Sequence, residues 1–277
     1  MARPGIGICS WCIDRHDVVA AVRHARARLG VDAMQVGFFG ADAVERADCE
    51  AIRETAEAED VSLVGTFIGF DGEEYTSIER IAETGGFTPD EAYPARLALT
   101  RKVGALSAEL GCLHLAVHPA TIPADATSPL YAMLVKRVGD VADAVAESGV
   151  RLLLETGREP VGTLVRFIDD VGRENVGVNF DPANLVVYGT DDPVRAVAEL
   201  GDLIEIVHVK DARRSSRPGL DFGQAAAIGQ GDVEIRRVLD ELGAIDFMGP
   251  VLLEVKSLPG DPHGVRKALV LVRSMLE

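Results

Sequence analysis

Eight times along this chain a short apolar run is followed by a stretch with helical spacing. The runs are GIGICSW (5–11), DAMQVGF (32–38), VSLVGTFIGF (61–70), LHLAVH (113–118), RLLLE (151–155), VGVNFD (176–181), IEIVHVKD (204–211) and VLLEV (251–255). The helical stretches fall at 14–29, 43–59, 91–110, 129–148, 160–172, 191–201, 232–243 and 261–276. Near-continuous apolar runs suit strands of a parallel sheet covered on both faces. Eight strand-helix units predict a closed (β/α)8 barrel, an α/β fold, rather than an open doubly wound sheet. No glycine-rich dinucleotide fingerprint follows the first run, which argues the same way. At 277 residues without a linker or shift in composition, the expectation is one barrel domain over 1–277.

Composition excludes several classes. An apolar fraction of 47% with 26% charged residues can bury a large core, and no run approaches the roughly 20 apolar residues needed to cross a bilayer. The opening MARPGIGICSW lacks the long apolar stretch and cleavage site of a signal peptide, so no membrane association and a cytoplasmic location are expected. A formal charge of -16 repels phosphate backbones, which sets the expectation against nucleic acid. Four cysteines (Cys9, Cys12, Cys49, Cys112) in a cytosolic chain do not suggest a disulfide framework.

Two connections exceed what a barrel needs: 71–91 after strand 3, with Gly85-Gly86, and 212–232 after strand 7. Both are expected over the carboxyl ends of the strands, where barrel active sites lie. Strands 5, 6, 7 and 8 each bring one ionisable residue to that rim: Glu155, Asp181, His208 and Glu254. Three carboxylates and an imidazole, with no lysine or arginine expected between them, would repel one another in a partly buried pocket unless a cation sat there. Alone, Asp181 before a proline suits a helix cap equally well, and His208 suits a packed core histidine. Four coincident strand ends favour a metal site. Oxygen-rich ligation with one nitrogen suits Mn²⁺ first, with Mg²⁺, Co²⁺ or Zn²⁺ as alternatives.

The quartet, together with NFDPANLVVYG, HVKDA, GQGDVEI and GPVLLEV, resembles the xylose isomerase-like barrels grouped as sugar phosphate isomerases/epimerases. The resemblance covers the whole chain, including CSW on strand 1 and TSIERIAETGGFTPDE after strand 3. It implies one divalent ion held by the quartet, with Glu155 and Glu254 also carrying protons next to a carbonyl through an enediolate. The related ketose 3-epimerases have histidine, a substrate contact, three residues after the strand 6 aspartate; here Asn184 stands there as the substrate-binding candidate, so their specificity does not transfer. Their arginine six residues after the strand 7 histidine matches Arg214, a substrate-binding candidate. Lys210, Arg213, Arg214 and Arg217 read as a basic cluster that could bind a phosphate, a carboxylate or a hydroxyl-rich sugar, or as a solvated loop. His118, ending strand 4, is a second wall candidate.

Cys9-Ser10-Trp11-Cys12 is a C-x-x-C. Strand alternation would put Cys9 and Trp11 on one face and Ser10 and Cys12 on the other. With neither a redox turn at a helix start nor a second cysteine pair expected, the thiols read as packing residues and Trp11 as an apolar pocket wall. The function expected is a metal-dependent sugar or sugar phosphate isomerase/epimerase. A keto-sugar lyase or dehydratase using the same site is the alternative. An abasic-site endonuclease is disfavoured by only six histidines and the acidic charge. The partner is a small-molecule sugar, and homo-oligomerisation is left open.

Overall fold

Apolar runs that do not alternate need cover on both sides, and in this chain they find it by closing on themselves beneath a ring of helices. The computed structural model describes residues 6–255 and 264–276. Eight parallel strands form a closed barrel in the order β1 (Ile6–Cys9), β10 (Val251–Leu253), β7 (Ile204–Val209), β6 (Val176–Phe180), β5 (Arg151–Glu155), β4 (His114–Val117), β3 (Ser62–Gly69), β2 (Ala33–Phe39). The eighth predicted strand, β10, closes the ring: Leu253 aligns with Ile8 of β1 on one side and with Val209 of β7 on the other. Ile8, Met34, Leu115, Leu152, Leu153 and Phe180 are fully buried. Each such side chain contributes about 1.5 to 3 kcal/mol relative to exposure.

Polar residues placed just before the helices start them. Asp17, Asp48, Ser128 and Asp192 each accept a hydrogen bond from a backbone N–H in the first turn of the helix that follows, and Gly172 ends Val161–Val171 in the left-handed conformation. The predicted helix 14–29 is Val18–His24 continued by a wide turn at Ala25–Leu29, and 43–59 divides into Ala41–Glu45 and Cys49–Ala58. The predicted stretch 261–276 is helical over Gly264–Leu276, and its first three positions lie outside the described residues.

Three local features differ from the sequence expectation. The 71–91 connection contains a helix, Ile78–Thr84, capped by Ser77. A further helix, Pro182–Tyr188, leaves β6 at once, because Asp181 caps it and Pro182 fits its first turn. The 212–232 connection carries an antiparallel pair, β8 (Asp211–Arg213) with β9 (Gln224–Ala226). Buried Asp211 organises it by accepting the N–H groups of Gly229 (2.8 Å) and Gly231 (2.9 Å).

Candidate metal centre

The ends of β5, β6, β7 and β10 bring one ligand atom each from Glu155, Asp181, His208 and Glu254 to within 4.8 Å of one another. Asp181 is the helix cap its sequence allowed, and its second carboxylate oxygen belongs to the quartet. Its Oδ1 accepts from the N–H groups of Ala183 (2.9 Å) and Asn184 (3.2 Å) and caps the helix. Its Oδ2 is buried and makes no hydrogen bond. The Asp181 N–H donates to Thr156 Oγ1 at 2.8 Å, and that hydroxyl donates back to the Asp181 carbonyl, so the β5 and β6 ends are tied together.

His208 is oriented from below. Gln35, on β2 and wholly buried, donates its amide to the Thr66 carbonyl (3.2 Å) and to Asn179 Oδ1 (3.4 Å). Those two acceptors fix which end of the amide faces His208: Gln35 Oε1 lies 2.7 Å from His208 Nε2 and must accept its proton. The other ring nitrogen, Nδ1, turns into the quartet 2.8 Å from Glu155 Oε1 and 3.4 Å from Glu254 Oε2, without an aligned hydrogen bond. Asn179 also donates to Glu155 Oε1 at 3.5 Å, so one buried network supports two members of the quartet.

One premise of the sequence argument is overturned. A lysine does stand among the carboxylates: Lys210 Nζ lies 2.6 Å from Asp181 Oδ2, without hydrogen-bond alignment, and donates to Glu254 Oε2 at 2.8 Å. The short β7 strand ends at Val209 and leaves Lys210 with a stem long enough to fold back over the rim. Repulsion alone therefore does not demand a cation. What does fit a divalent ion is the convergent donor set, in which buried Asp181 Oδ2 and His208 Nδ1 have only the unaligned ion-pair contacts with Lys210 and with the two glutamates among the described residues.

The electrostatics follow from this crowding. Burial acts to raise Glu155, but His118 and His208 overcome it and hold the carboxyl at about 2. Burial opposes the charge on His208, yet Glu155 and Glu254 push it up to about 10. Burial, with Glu254 and Glu155 adding to it, lifts Asp181 to about 6 despite Lys210. Glu254 is partly buried, which acts to raise it, but Lys210 and His208 hold it well below the usual carboxylate range.

Around the quartet, His118 Nε2 lies 2.6 Å from Glu155 Oε2, and Trp11 Nε1 donates to Glu254 Oε1 at 3.1 Å. Trp11, Phe39 and Phe67 pack edge-on or tilted against one another and, through Trp11 and Phe67, against His208. Trp11 reaches this wall by a route the sequence did not show: β1 ends at Cys9, and Ser10–Cys12 forms a 3-10 turn. The expected alternation through Cys12 therefore fails, and the C-x-x-C does sit at a helical turn. Its thiols are buried; burial, then Cys12, pushes the Cys9 thiol well above its ordinary value, and Cys12 Sγ is held between the Leu253 carbonyl (3.6 Å) and the Val255 N–H (3.3 Å).

The predicted basic cluster does not converge. Arg214 is exposed and, among the described residues, only its backbone N–H is engaged, by Asp232 (2.8 Å); Arg217 pairs with Asp221 (2.6 Å), and Arg213 donates to the Gln230 carbonyl. Asn184 is buried and gives its amide to the Thr156 carbonyl at 3.2 Å. Of the four cations, Lys210 alone contacts the quartet. The sequence reading missed Gln35, Asn179 and Arg158; a lone polar residue inside an apolar strand is the signal that pointed to the first two.

The family model described as a xylose isomerase-like TIM barrel matches residues 24–275. The chain belongs to this family. Among solved structures, the xylose isomerase-like chain is similar to a xylose isomerase domain protein from Planctomyces limnophilus, at 31% identity and TM-score 0.86, covering 99% of this chain and 96% of that one. It has the fold of a D-allulose 3-epimerase from Methylomonas sp. in complex with D-allulose, at 20% identity, TM-score 0.72 and 99% of both chains. It also has the fold of a 3-DHS dehydratase from Bacillus anthracis described as probable, at 13% identity, TM-score 0.72, covering 98% of this chain and 99% of that one. A comparison with curated protein sequences gives no match.

Proposed function

We propose that this barrel is a divalent-metal-dependent isomerase or epimerase of a sugar or sugar derivative, with Glu155, Asp181, His208 and Glu254 as metal ligands and Glu155 and Glu254 as the proton-transferring pair. The observation that carries the reading is the convergence of one ligand atom each from Glu155, Asp181, His208 and Glu254, all within 4.8 Å of one another at one strand-end rim. The likeness to a sugar 3-epimerase fold supports it. When bound, the ion supplies Lewis-acid charge beside the oxygens of the substrate; Mn²⁺ suits the donor set first.

The chain's own residues do the rest. One glutamate removes the proton from the carbon next to the carbonyl, the electron pair moves onto the carbonyl oxygen, and a proton is returned to the opposite face through the other glutamate. Glu155 Oε2 touches the partly exposed His118, which gives a proton arriving at Glu155 a path outward. Trp11, by donating to Glu254 Oε1, fixes that carboxylate while Lys210 holds its other oxygen. The Trp11–Phe39–Phe67 wall keeps water from the reacting face. A dehydratase or lyase would begin with the same proton removal and then expel a leaving group, and the 3-DHS dehydratase fold favours keeping that second reading.

The test is Glu155→Gln and Glu254→Gln, assayed on ketoses and keto-sugar derivatives with Mn²⁺ binding measured alongside. Turnover is expected to fall by about 10² or more in each, the usual scale for acid-base groups. In D₂O the wild-type enzyme is expected to place deuterium at the carbon that loses its proton. Normal turnover in both variants refutes the assignment, and product without solvent label points to direct hydride transfer between carbons.

A further inference from the structure

Three residues beyond Glu155, in ETGREP, Arg158 is buried with only 7% of its surface exposed. Its backbone is pinned toward the rim. The Gly157 carbonyl accepts from Thr190 Oγ1 at 2.8 Å, the Thr156 carbonyl accepts from Asn184, and Gly157 has φ 138°, with Asn184 leaving no room for a Cβ. The guanidinium lies against two phenols. Its Nη2 donates to Tyr75 Oη at 2.8 Å beneath the Tyr75 ring, and the Tyr188 side chain stands beside it, within the field of Lys210 and Glu155.

Arg158 Nε and Nη1 are buried and make no aligned hydrogen bond among the described residues, where the close groups favouring the charge are the Tyr188 and Tyr75 phenols and no carboxylate forms an ion pair with it. The two nearby carboxyls act on it only at a distance: Glu73, which also accepts from the Gly86 N–H (2.8 Å), lies beyond the Tyr75 hydroxyl it accepts from (3.4 Å), and burial pushes Glu159 up to about 7 despite the field of Arg158. A guanidinium does not lose its charge in a protein, and a buried one without a counter-charge is strongly unfavourable. Nor does the quartet supply the balance: on the metal-site reading above, a divalent ion and Lys210 already match its three carboxylates. Among the described residues Arg158 therefore keeps no carboxylate in direct contact. The group lying over it is Tyr75, a neutral phenol that is 49% exposed and carried on the long 71–91 connection. Its hydroxyl occupies one guanidinium donor as an anionic oxygen would, and it can be displaced from the solvent side.

We propose that Arg158 is the receptor for an anionic oxygen group on the substrate, a carboxylate or a phosphate, and that the site therefore acts on an acidic sugar derivative in preference to a neutral ketose. The inference rests on the proposed metal-dependent isomerase reading and narrows its substrate class.

The test is calorimetric binding of fructose, fructuronate and fructose 6-phosphate to the Mn²⁺-loaded protein, in wild type, Arg158→Gln and Arg158→Lys, with Mn²⁺ affinity titrated separately. The wild type is expected to bind at least one anionic sugar about 10- to 100-fold more tightly than fructose, the range of a charge-assisted hydrogen bond. Preference for the uronate alone identifies a carboxylate; preference for the phosphate ester alone identifies a phosphate. Arg158→Gln is expected to bind all three sugars within about threefold of one another while keeping its Mn²⁺ affinity, and Arg158→Lys, which keeps the charge if Gln impairs folding, to retain part of the preference. Wild-type protein that binds neither anion more tightly than fructose overturns the proposal, as does a preference that survives in Arg158→Gln. In either case the isomerase reading stands if Mn²⁺ binds the quartet. Failure of Mn²⁺ to bind overturns both, and the separate titration reads it.

Discussion

Replacing Gln35 with leucine removes the amide that orients His208 while leaving the quartet itself intact. The wild-type amide satisfies three buried groups: His208 Nε2, the Thr66 carbonyl and Asn179 Oδ1. Gln35, His208 and Asn179 have no solvent exposure, so water does not replace what is lost. At about 1 kcal/mol per bond, the variant is expected to lose about 3 kcal/mol of stability, or roughly 6 to 12 °C in melting temperature for a chain of this size. Metal affinity is expected to fall by about 10- to 100-fold, since a ligating histidine without its supporting partner is free to rotate. Mn²⁺ binding followed by electron paramagnetic resonance, beside urea unfolding of the metal-free protein, separates the two effects. Gln35→Glu keeps an acceptor for the Nε2 proton and is expected to bind Mn²⁺ more tightly than Gln35→Leu does. Mn²⁺ affinity within threefold of wild type in a clearly destabilised Gln35→Leu would refute the orienting role and leave Gln35 a packing residue.

Three further outcomes follow from the same geometry. Burial raises Glu159 to about 7 from an ordinary 4.5, so its folded carboxyl holds a proton more tightly than the unfolded one; the penalty is absent below about pH 4.5, grows as pH rises and is complete above 7. Glu159→Gln is therefore expected to gain up to about 3 kcal/mol at pH 8 and nothing at pH 4, and equal gains at both pH values in chemical denaturation would contradict it. Lys210→Met leaves Asp181 and Glu254 without their shared ammonium, so the metal-free protein should melt lower and Mn²⁺ should raise its melting temperature by more than in wild type; unchanged metal-free stability counts against this. Changing Cys9 and Cys12 together to alanine should cost about 1 to 3 kcal/mol with turnover retained, and intact stability with abolished turnover would restore a redox or metal role for the pair.

What the sequence makes legible here is periodicity. Apolar runs such as RLLLE and IEIVHV have one physical outcome, a strand covered on both faces, and their ends mark the rim, so β5, β6, β7 and β10 and the four residues they present follow directly. Side-chain reach is not periodic. Lys210 lies just past the end of β7, and only its long flexible stem decides that it folds onto Asp181 and Glu254 while Arg214, four residues later, points to solvent. The turn at Ser10–Cys12 was hidden because CSW continues the apolar character of β1 without a breaker residue. Gln35 was hidden for the opposite reason: one polar letter in AMQVGFF is read as tolerated noise unless its partners, 31 to 173 residues away, are known.

The seam of the barrel joins the first strand to the last of the eight, and the proposed site straddles it. Glu254 sits just past β10, and its hydrogen-bond partner Trp11 lies 243 positions earlier in the chain. A chain emerging from the ribosome can pair β1 through β7 and still have no complete set of ligands. The proposed binding centre would be complete only when the final strand docks, which makes it a late product of folding. Metal capture would then act as a latch: by holding Glu254 to ligands on β5, β6 and β7, an ion would favour the closed ring over forms with β10 detached, by a margin set by its free concentration relative to its dissociation constant.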